Sequence, residues 1–237
     1  MYGVSAVTAV TAQDTTGVSH VHQVPADIVR AQIDRVVQDV EIAAVKTGML
    51  ATADILLAVV ESINRLKLRN VVVDPVLASG GHPSRTLLAP DAVSLLKARL
   101  LPLAAVVTPN VAEASALCGL EVNSPDAARE AARRIAGFGP QAVVIKGGHL
   151  HGPQAIDVLF HDGVFNEFAA PRVDIGVIHG TGCTFASAIA AGLAHGCGIA
   201  TAVNLAKRYV TGAIEQSFSI GHGARILNHF WDQPSPR

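Results

Sequence analysis

The strongest chemical signal in the sequence is the run His179-Gly180-Thr181-Gly182-Cys183-Thr184. Two glycines one residue apart let the backbone close tightly around a ligand. The spacing after them predicts a buried helix over Thr184–Leu193, built from small and apolar side chains. A helix N-terminus offers unpaired N–H groups and a partial positive charge, which suit a phosphate or a developing anion. An ordinary Gly-rich loop ahead of a core helix fits the same residues equally well. Cys183 at such a terminus is expected to have a favoured thiolate; a small buried residue is the alternative.

Other polar residues stand at the ends of apolar runs. Lys146 follows Val143–Ile145 and precedes Gly147-Gly148, where it either reaches a phosphate or is a solvated strand terminus. Asp74 ends Val71–Val73, as a pocket carboxylate or, given Pro75, a turn residue. Asn110 and Glu113 form an N-x-x-E after a strand. An amide and a carboxylate there suit Mg²⁺ and its waters, although a capping box is the commoner use of that spacing. Familiar phosphate loops are excluded. No G-x-x-x-x-G-K-[ST] is present, and Gly137-Phe138-Gly139-Pro140-Gln141-Ala142 lies between a helix and a strand, the reverse of the dinucleotide motif. The pairs His20/His22 and His149/His151 lack the further ligands that zinc needs and read as structural or incidental.

The elements that must position these residues alternate. Strands are expected at Val4–Ala12, Val18–Val24, Ile42–Lys46, Val71–Asp74, Ala104–Thr108 and Ala142–Lys146. Helices are expected at Ala26 to about Val37, Ala51–Leu66, Ala89–Leu101, Val111–Cys118, Pro125–Ile135 and about Ile199–Gln216. Ile156–Phe160 and Val164–Ala169 flank Asp162-Gly163, a hairpin signal. Alternation of this kind gives a mostly parallel sheet with helices on both faces and an antiparallel edge. Lys46, Asp74, Asn110 and Lys146 then collect at the carboxyl ends of the strands, where such sheets bind ligands.

Composition agrees. The 237 residues fit one domain, residues 1–237, and half are hydrophobic, which supplies a large core. A net charge of −1 gives no footprint for nucleic acid or a membrane surface. Cys118, Cys183 and Cys197 form no CxxC and read as thiols in a reducing compartment. With no signal-peptide pattern and no membrane-length apolar run, a cytoplasmic protein is expected.

Six stretches occur together in order: Thr8–Gln13, Lys46–Leu50, Val71–Val76, Thr108–Ala114, Lys146–His149 and His179–Thr184. In this the chain resembles the hydroxymethylpyrimidine/phosphomethylpyrimidine kinases of thiamine biosynthesis, members of the ribokinase-like superfamily. The resemblance implies a three-layer αβα sandwich, ATP and Mg²⁺, and a homodimer. It implies that Gln13 hydrogen-bonds an aminopyrimidine whose pocket Met49 and Val76 line, that Lys146 and Thr181 meet ATP, and that Asp74, Asn110 and Glu113 organise Mg²⁺. It makes the backbone of Gly180, Thr181, Gly182 and Cys183 an anion hole, with Cys183 as the base that takes the hydroxymethyl proton. Cys183 stands where many sugar kinases of the superfamily carry Asp, which points away from sugars; some pyridoxal kinases also carry Cys. Family members place a strand, a Gly- and Ser-rich loop and a helix before the segment matching Tyr2–Thr11. None of these follows Met1, so the resemblance predicts an open sheet edge and an incomplete pocket wall. A non-catalytic pyrimidine- or nucleotide-binding protein is the alternative that this raises.

Overall fold

Alternation within short Val-rich strands produces the layers of the molecule. The computed structural model describes residues 1–77, 88, 90–150, 152–173, 175–176 and 178–233. β1 (Ala9–Gln13) and β2 (Val18–Gln23) form a separate antiparallel hairpin. The main sheet holds β3 (Val45–Thr47), β4 (Val71–Val73), β5 (Val106–Val107), β6 (Ala142–Ile145), β7 (Gln154–His161) and β8 (Val164–Pro171), hydrogen-bonded in that order. β3 to β6 run parallel; β7 and β8 run antiparallel and form the expected edge hairpin. Asp162 and Gly163 at its turn both have positive φ, as a two-residue hairpin turn requires.

Side chains of one strand enter different layers. Val71 and Val73 pack in one core with α1 (Ala26–Asp39), α2 (Ala53–Arg65), α4 (Val111–Cys118) and α5 (Pro125–Ala136). Val72, between them, packs in the other with α6 (Thr181–Ala194) and α7 (Ile199–Glu215). Caps set several helix starts. Thr52 accepts from the Ile55 N–H at 3.3 Å, and Ser124 accepts from Ala127 at 3.2 Å with Pro125 opening the helix. Among the described residues no helix is long and apolar enough to cross a membrane.

Several boundaries differ from expectation. The first strand starts at Ala9, not Val4, although Thr8 O still accepts from Val24 N–H at 3.0 Å. Val7 instead exchanges both backbone groups with the Gln32 side chain, at 2.9 and 3.0 Å. β3 starts at Val45, where its partner β4 begins. The helix expected over Ala89–Leu101 is α3 (Pro90–Leu95), followed by a π turn over Leu96–Leu100 and a 3₁₀ turn over Leu101–Leu103; Ala89 lies outside the described residues. Pro102 cannot continue an α-helix, and the wider turn keeps Leu96, Leu100 and Leu101 all buried. A further short pair, β9 (Ile178–His179) and β10 (Arg225–Ile226), was not foreseen.

α6 and α7 cross where Gly192 faces Ala202: a Cβ at residue 192 would lie 2.9 Å from the Ala202 Cβ. Gly192→Ala gains about 1 kcal/mol of helix propensity, but overpacking costs about 1–3 kcal/mol. The variant is therefore expected to unfold at lower urea concentration than the parent; a raised midpoint would show that the two helices can separate.

Candidate active site

The carboxyl ends of four parallel strands are tied residue to residue. Asp74 N–H donates to Thr47 O at 3.1 Å, Thr108 N–H to Val73 O at 2.9 Å and Lys146 N–H to Pro109 O at 2.9 Å. The sheet ladder thereby extends to the residues that carry charge. Asp74 is only 3% exposed. Its Oδ1 accepts from Lys146 Nζ at 2.8 Å and from Thr108 Oγ1 at 3.3 Å, and its Oδ2 lies 3.8 Å from Lys46 Nζ. Lys146 Nζ also lies 4.0 Å from Glu113 Oε2. A buried carboxylate needs such partners, since desolvation otherwise disfavours its charge. Space for the two ammonium groups comes from glycines. A Cβ on Gly48 would lie 2.8 Å from Lys46 Nζ, and one on Gly182 would lie 3.0 Å from Lys146 Nζ.

α6 begins at Thr181, three residues earlier than its spacing predicted. Gly180 takes a left-handed conformation (φ 85°, ψ 5°) and acts as the N-cap, its carbonyl accepting from Thr184 N–H at 2.9 Å. Thr181, Gly182 and Cys183 therefore form the first turn, whose N–H groups have no partner within the helix. That turn carries no acid and no side-chain cap. The uncapped terminus faces the Asp74–Lys146 pair, because Gly182 would touch both if it had a Cβ.

Cys183 is exposed, yet protein crowds it on several sides. The expectation of a favoured thiolate is not met. Burial pushes the thiol pKa up; the Asp74 charge and a hydrogen bond from the thiol to Asp74 add to this, while Lys46 and Lys146 oppose it. Burial outweighs the helix terminus, and the neighbouring Asp74 charge adds to it.

Asn110 and Glu113 form the capping box of α4. Asn110 Oδ1 accepts from Glu113 N–H at 2.9 Å, and Glu113 Oε2 accepts from Asn110 N–H at 2.8 Å. The same geometry turns Glu113 toward Lys146, so the commoner use of the spacing is realised without removing the carboxylate from the site. Burial raises the Glu113 pKa, against the opposing pull of Lys146 and of the Asn110 and Leu77 N–H groups. Among the described residues no group of three His, Cys, Asp or Glu is arranged to hold a metal directly. Asp74 and Glu113 already accept from lysine, threonine and backbone donors. They suit a hydrated cation that arrives with its own phosphate ligands.

The candidate substrate residues are spread around this centre. Gln13, exposed on β1, places Nε2 at 2.7 Å from His179 Nε2, next to the Gly180 turn. The β1–β2 turn also docks on the far loop, where Thr15 O accepts from Ala224 N–H at 2.7 Å. Met49 is half-buried against the core, and its carbonyl accepts from Thr8 Oγ1 at 2.6 Å. Val76 borders a small hollow with Thr47, Gly48 and Asp74. His20 and His22 are exposed on β2; His151 lies outside the described residues.

Lys46, Thr108 and His179 were given no individual role by the sequence reading. Lys46 carried a usable signal: like Lys146, it is a lysine at a strand end with a glycine close behind. Thr108 and His179 stand within quoted stretches, but their contacts depend on distant segments and gave them no role of their own.

The sequence model of the family described as "Phosphomethylpyrimidine kinase" matches residues 1–228. The chain is 44% identical over 230 residues to the hydroxymethylpyrimidine/phosphomethylpyrimidine kinase of Streptomyces coelicolor, covering 97% of this chain and 84% of that one. It is 45% identical over 228 residues to the thiamine biosynthesis bifunctional protein ThiED of Geobacter sulfurreducens; these cover 96% of this chain but span only 46% of that protein's length. Among solved structures, an ADP complex of Bacillus subtilis pyridoxal kinase has a TM-score of 0.89 at 34% identity, covering 98% of this chain and 87% of that one. A phosphomethylpyrimidine kinase from Clostridium difficile 630 has a TM-score of 0.78 at 38% identity, covering 90% and 87%. The fold is thus ribokinase-like, and the parallel sheet, its antiparallel edge and the motif order all agree with one assignment: the chain belongs to the phosphomethylpyrimidine kinase family.

Proposed function

We propose that this chain transfers the γ-phosphoryl group of ATP to the hydroxymethyl oxygen of 4-amino-5-hydroxymethyl-2-methylpyrimidine, and then a second phosphoryl group to the resulting monophosphate, in thiamine biosynthesis. The observation that carries the reading is the convergence of Lys146 and Lys46 on Asp74 beside the uncapped start of α6. Phosphoryl transfer requires positioning and charge neutralisation more than covalent chemistry by the protein. Two ammonium groups and a set of free N–H donors supply both.

In this reading Lys146 meets the phosphates of ATP, with Thr181 beside them, and the N–H groups of Gly180 to Cys183 hold the group in flight. The bond from the acceptor oxygen to phosphorus forms as the bond from phosphorus to ADP breaks. Cys183 takes the proton of the hydroxymethyl group in its thiolate form, which Lys46 and Lys146 favour against burial and the Asp74 charge. Asp74, Asn110 and Glu113 would hold Mg²⁺ through its waters, and the ion would neutralise phosphate charge. Gln13 reads the amino group of the pyrimidine, oriented by His179, with Met49 and Val76 against the ring. We read residues 1–237 as one domain that works as a homodimer.

Similarity to pyridoxal kinase structures supports a second reading, in which pyridoxal is the acceptor. An ADP-release assay with the two acceptors in parallel separates them, with the higher kcat/KM expected for the pyrimidine. A preference for pyridoxal would reverse the assignment, and binding without turnover of either would leave a non-catalytic ligand binder. The two steps also differ in their need for a base, because a phosphate acceptor oxygen is already ionised. Cys183→Ala is expected to lower kcat on the hydroxymethyl substrate by about 10²–10⁴-fold, with a much smaller loss on the monophosphate. Equal losses on both would remove the proton-accepting role. Lys146→Met is expected to reduce kcat/KM for ATP by about 10²–10³-fold, the range seen when one preorganised charge-stabilising donor is lost; steady-state kinetics with varied ATP measures it.

A further inference from the structure

A second buried ion pair lies one layer below the site. Lys207 on α7 and Asp157 on β7 are 8% and 5% exposed, and Lys207 Nζ lies 2.9 Å from Asp157 Oδ2. Lys207 Nζ also donates to Ala155 O at 2.8 Å. The other carboxylate oxygen, Oδ1, accepts from Gly147 N–H at 2.9 Å. Gly147 directly follows Lys146. A Cβ on Gly147 would lie 1.8 Å from Ile156 O, so the turn is pressed against β7.

The same turn is held from its other side by Arg172, which follows β8. Its guanidinium donates to the carbonyls of Gly148 at 2.5 Å, Gly152 at 2.8 Å and Gln154 at 3.3 Å, and also to that of Leu150. Two cations and a carboxylate are thus devoted to the backbone that leaves Lys146. Holding α7 on the sheet does not require this, since apolar pairs of similar volume stabilise a core as well as buried ions do. What the polar set adds is direction: an N–H and five carbonyls are fixed in place.

We propose that Asp157 and Arg172 are positioning residues for Lys146, with Lys207 neutralising Asp157, and that they fix the backbone at Gly147, Gly148, Leu150, Gly152 and Gln154 so that the ammonium group is aimed at the nucleotide phosphates. Asp157 holds Gly147 N–H, and Arg172 holds the four carbonyls that follow it. The inference rests on the reading that Lys146 meets ATP phosphates.

Two double variants separate positioning from packing. Asp157→Asn/Lys207→Met removes both charges but keeps an acceptor for Gly147 N–H. Asp157→Leu/Lys207→Met removes the charges and the acceptor. The first is expected to bind ATP, titrated calorimetrically, within about 2-fold of the parent. The second is expected to lose about 10-fold or more in ATP affinity and in kcat, with the KM of the pyrimidine unchanged, since a displacement of about 1 Å can cost about 100-fold in rate. Equal ATP affinity and kcat in the two doubles would overturn the proposal. If the Leu double does not unfold cooperatively, Arg172→Leu decides: weakened ATP binding supports the role and parental binding rejects it. Lys146→Met is measured alongside. If it binds and turns over ATP like the parent, the phosphate reading fails and the positioning role fails with it. If it is impaired while the Leu double and Arg172→Leu are not, only the positioning role fails.

Discussion

The site depends on giving one buried carboxylate a full set of partners where water is scarce. Asp74 sits at the end of β4 with almost no exposed surface, and Lys146, Thr108 and Lys46 surround it. That requirement fixes several features at once. It places one lysine on the neighbouring strand β3 and another just past the end of β6, two strands away. It calls for glycine at residues 48 and 182, where side chains would occupy the ammonium groups' space. It also bears on Cys183, whose thiol pKa is pushed up by burial first and further by the Asp74 charge.

The parallel sheet makes this arrangement possible. Neighbouring strands end at similar heights, and each terminal residue is bonded to the backbone of the strand beside it. Lys46, Asp74, Thr108 and Lys146 come from distant parts of the chain, yet they are held by a ladder as regular as that of the sheet interior. Side chains on rigid elements can be positioned more closely than side chains on loops. The β1–β2 hairpin is attached differently: Gln13 meets His179, and Thr15 meets the segment around Gly223 and Ala224. These polar contacts join it to the start of α6 and to the segment before β10.

Much of this was legible from residue order. Val-rich runs marked the strands because parallel strands buried on both faces need little else. Lys146, Asp74 and the Asn110–Glu113 pair were found because strand ends in such a sheet face a common cleft. Boundaries were less legible. The start of α6 was misread because Gly180 alone carries the left-handed turn, and a periodic apolar pattern does not register residues as small as Thr181 and Gly182. The first strand was drawn too long because Val7 pairs with the Gln32 side chain instead of a strand, a contact that Val4 to Thr8 themselves do not announce. The contact between Gln13 and His179 spans 166 positions, so neither residue announced the other.

The two glycines of Gly180-Thr181-Gly182 answer to different constraints. At residue 180 the demand is torsional: φ is 85°, and no heavy atom lies within 4 Å of where a Cβ would stand. Asparagine, which tolerates the left-handed region, meets that demand in part. At residue 182 the torsions are those of an ordinary helix, and the demand is volumetric, because an ammonium group fills the space of the missing side chain. A short string that looks like a single signature is therefore two independent specifications. Relatives that move their lysine are free to lose the second glycine while keeping the first.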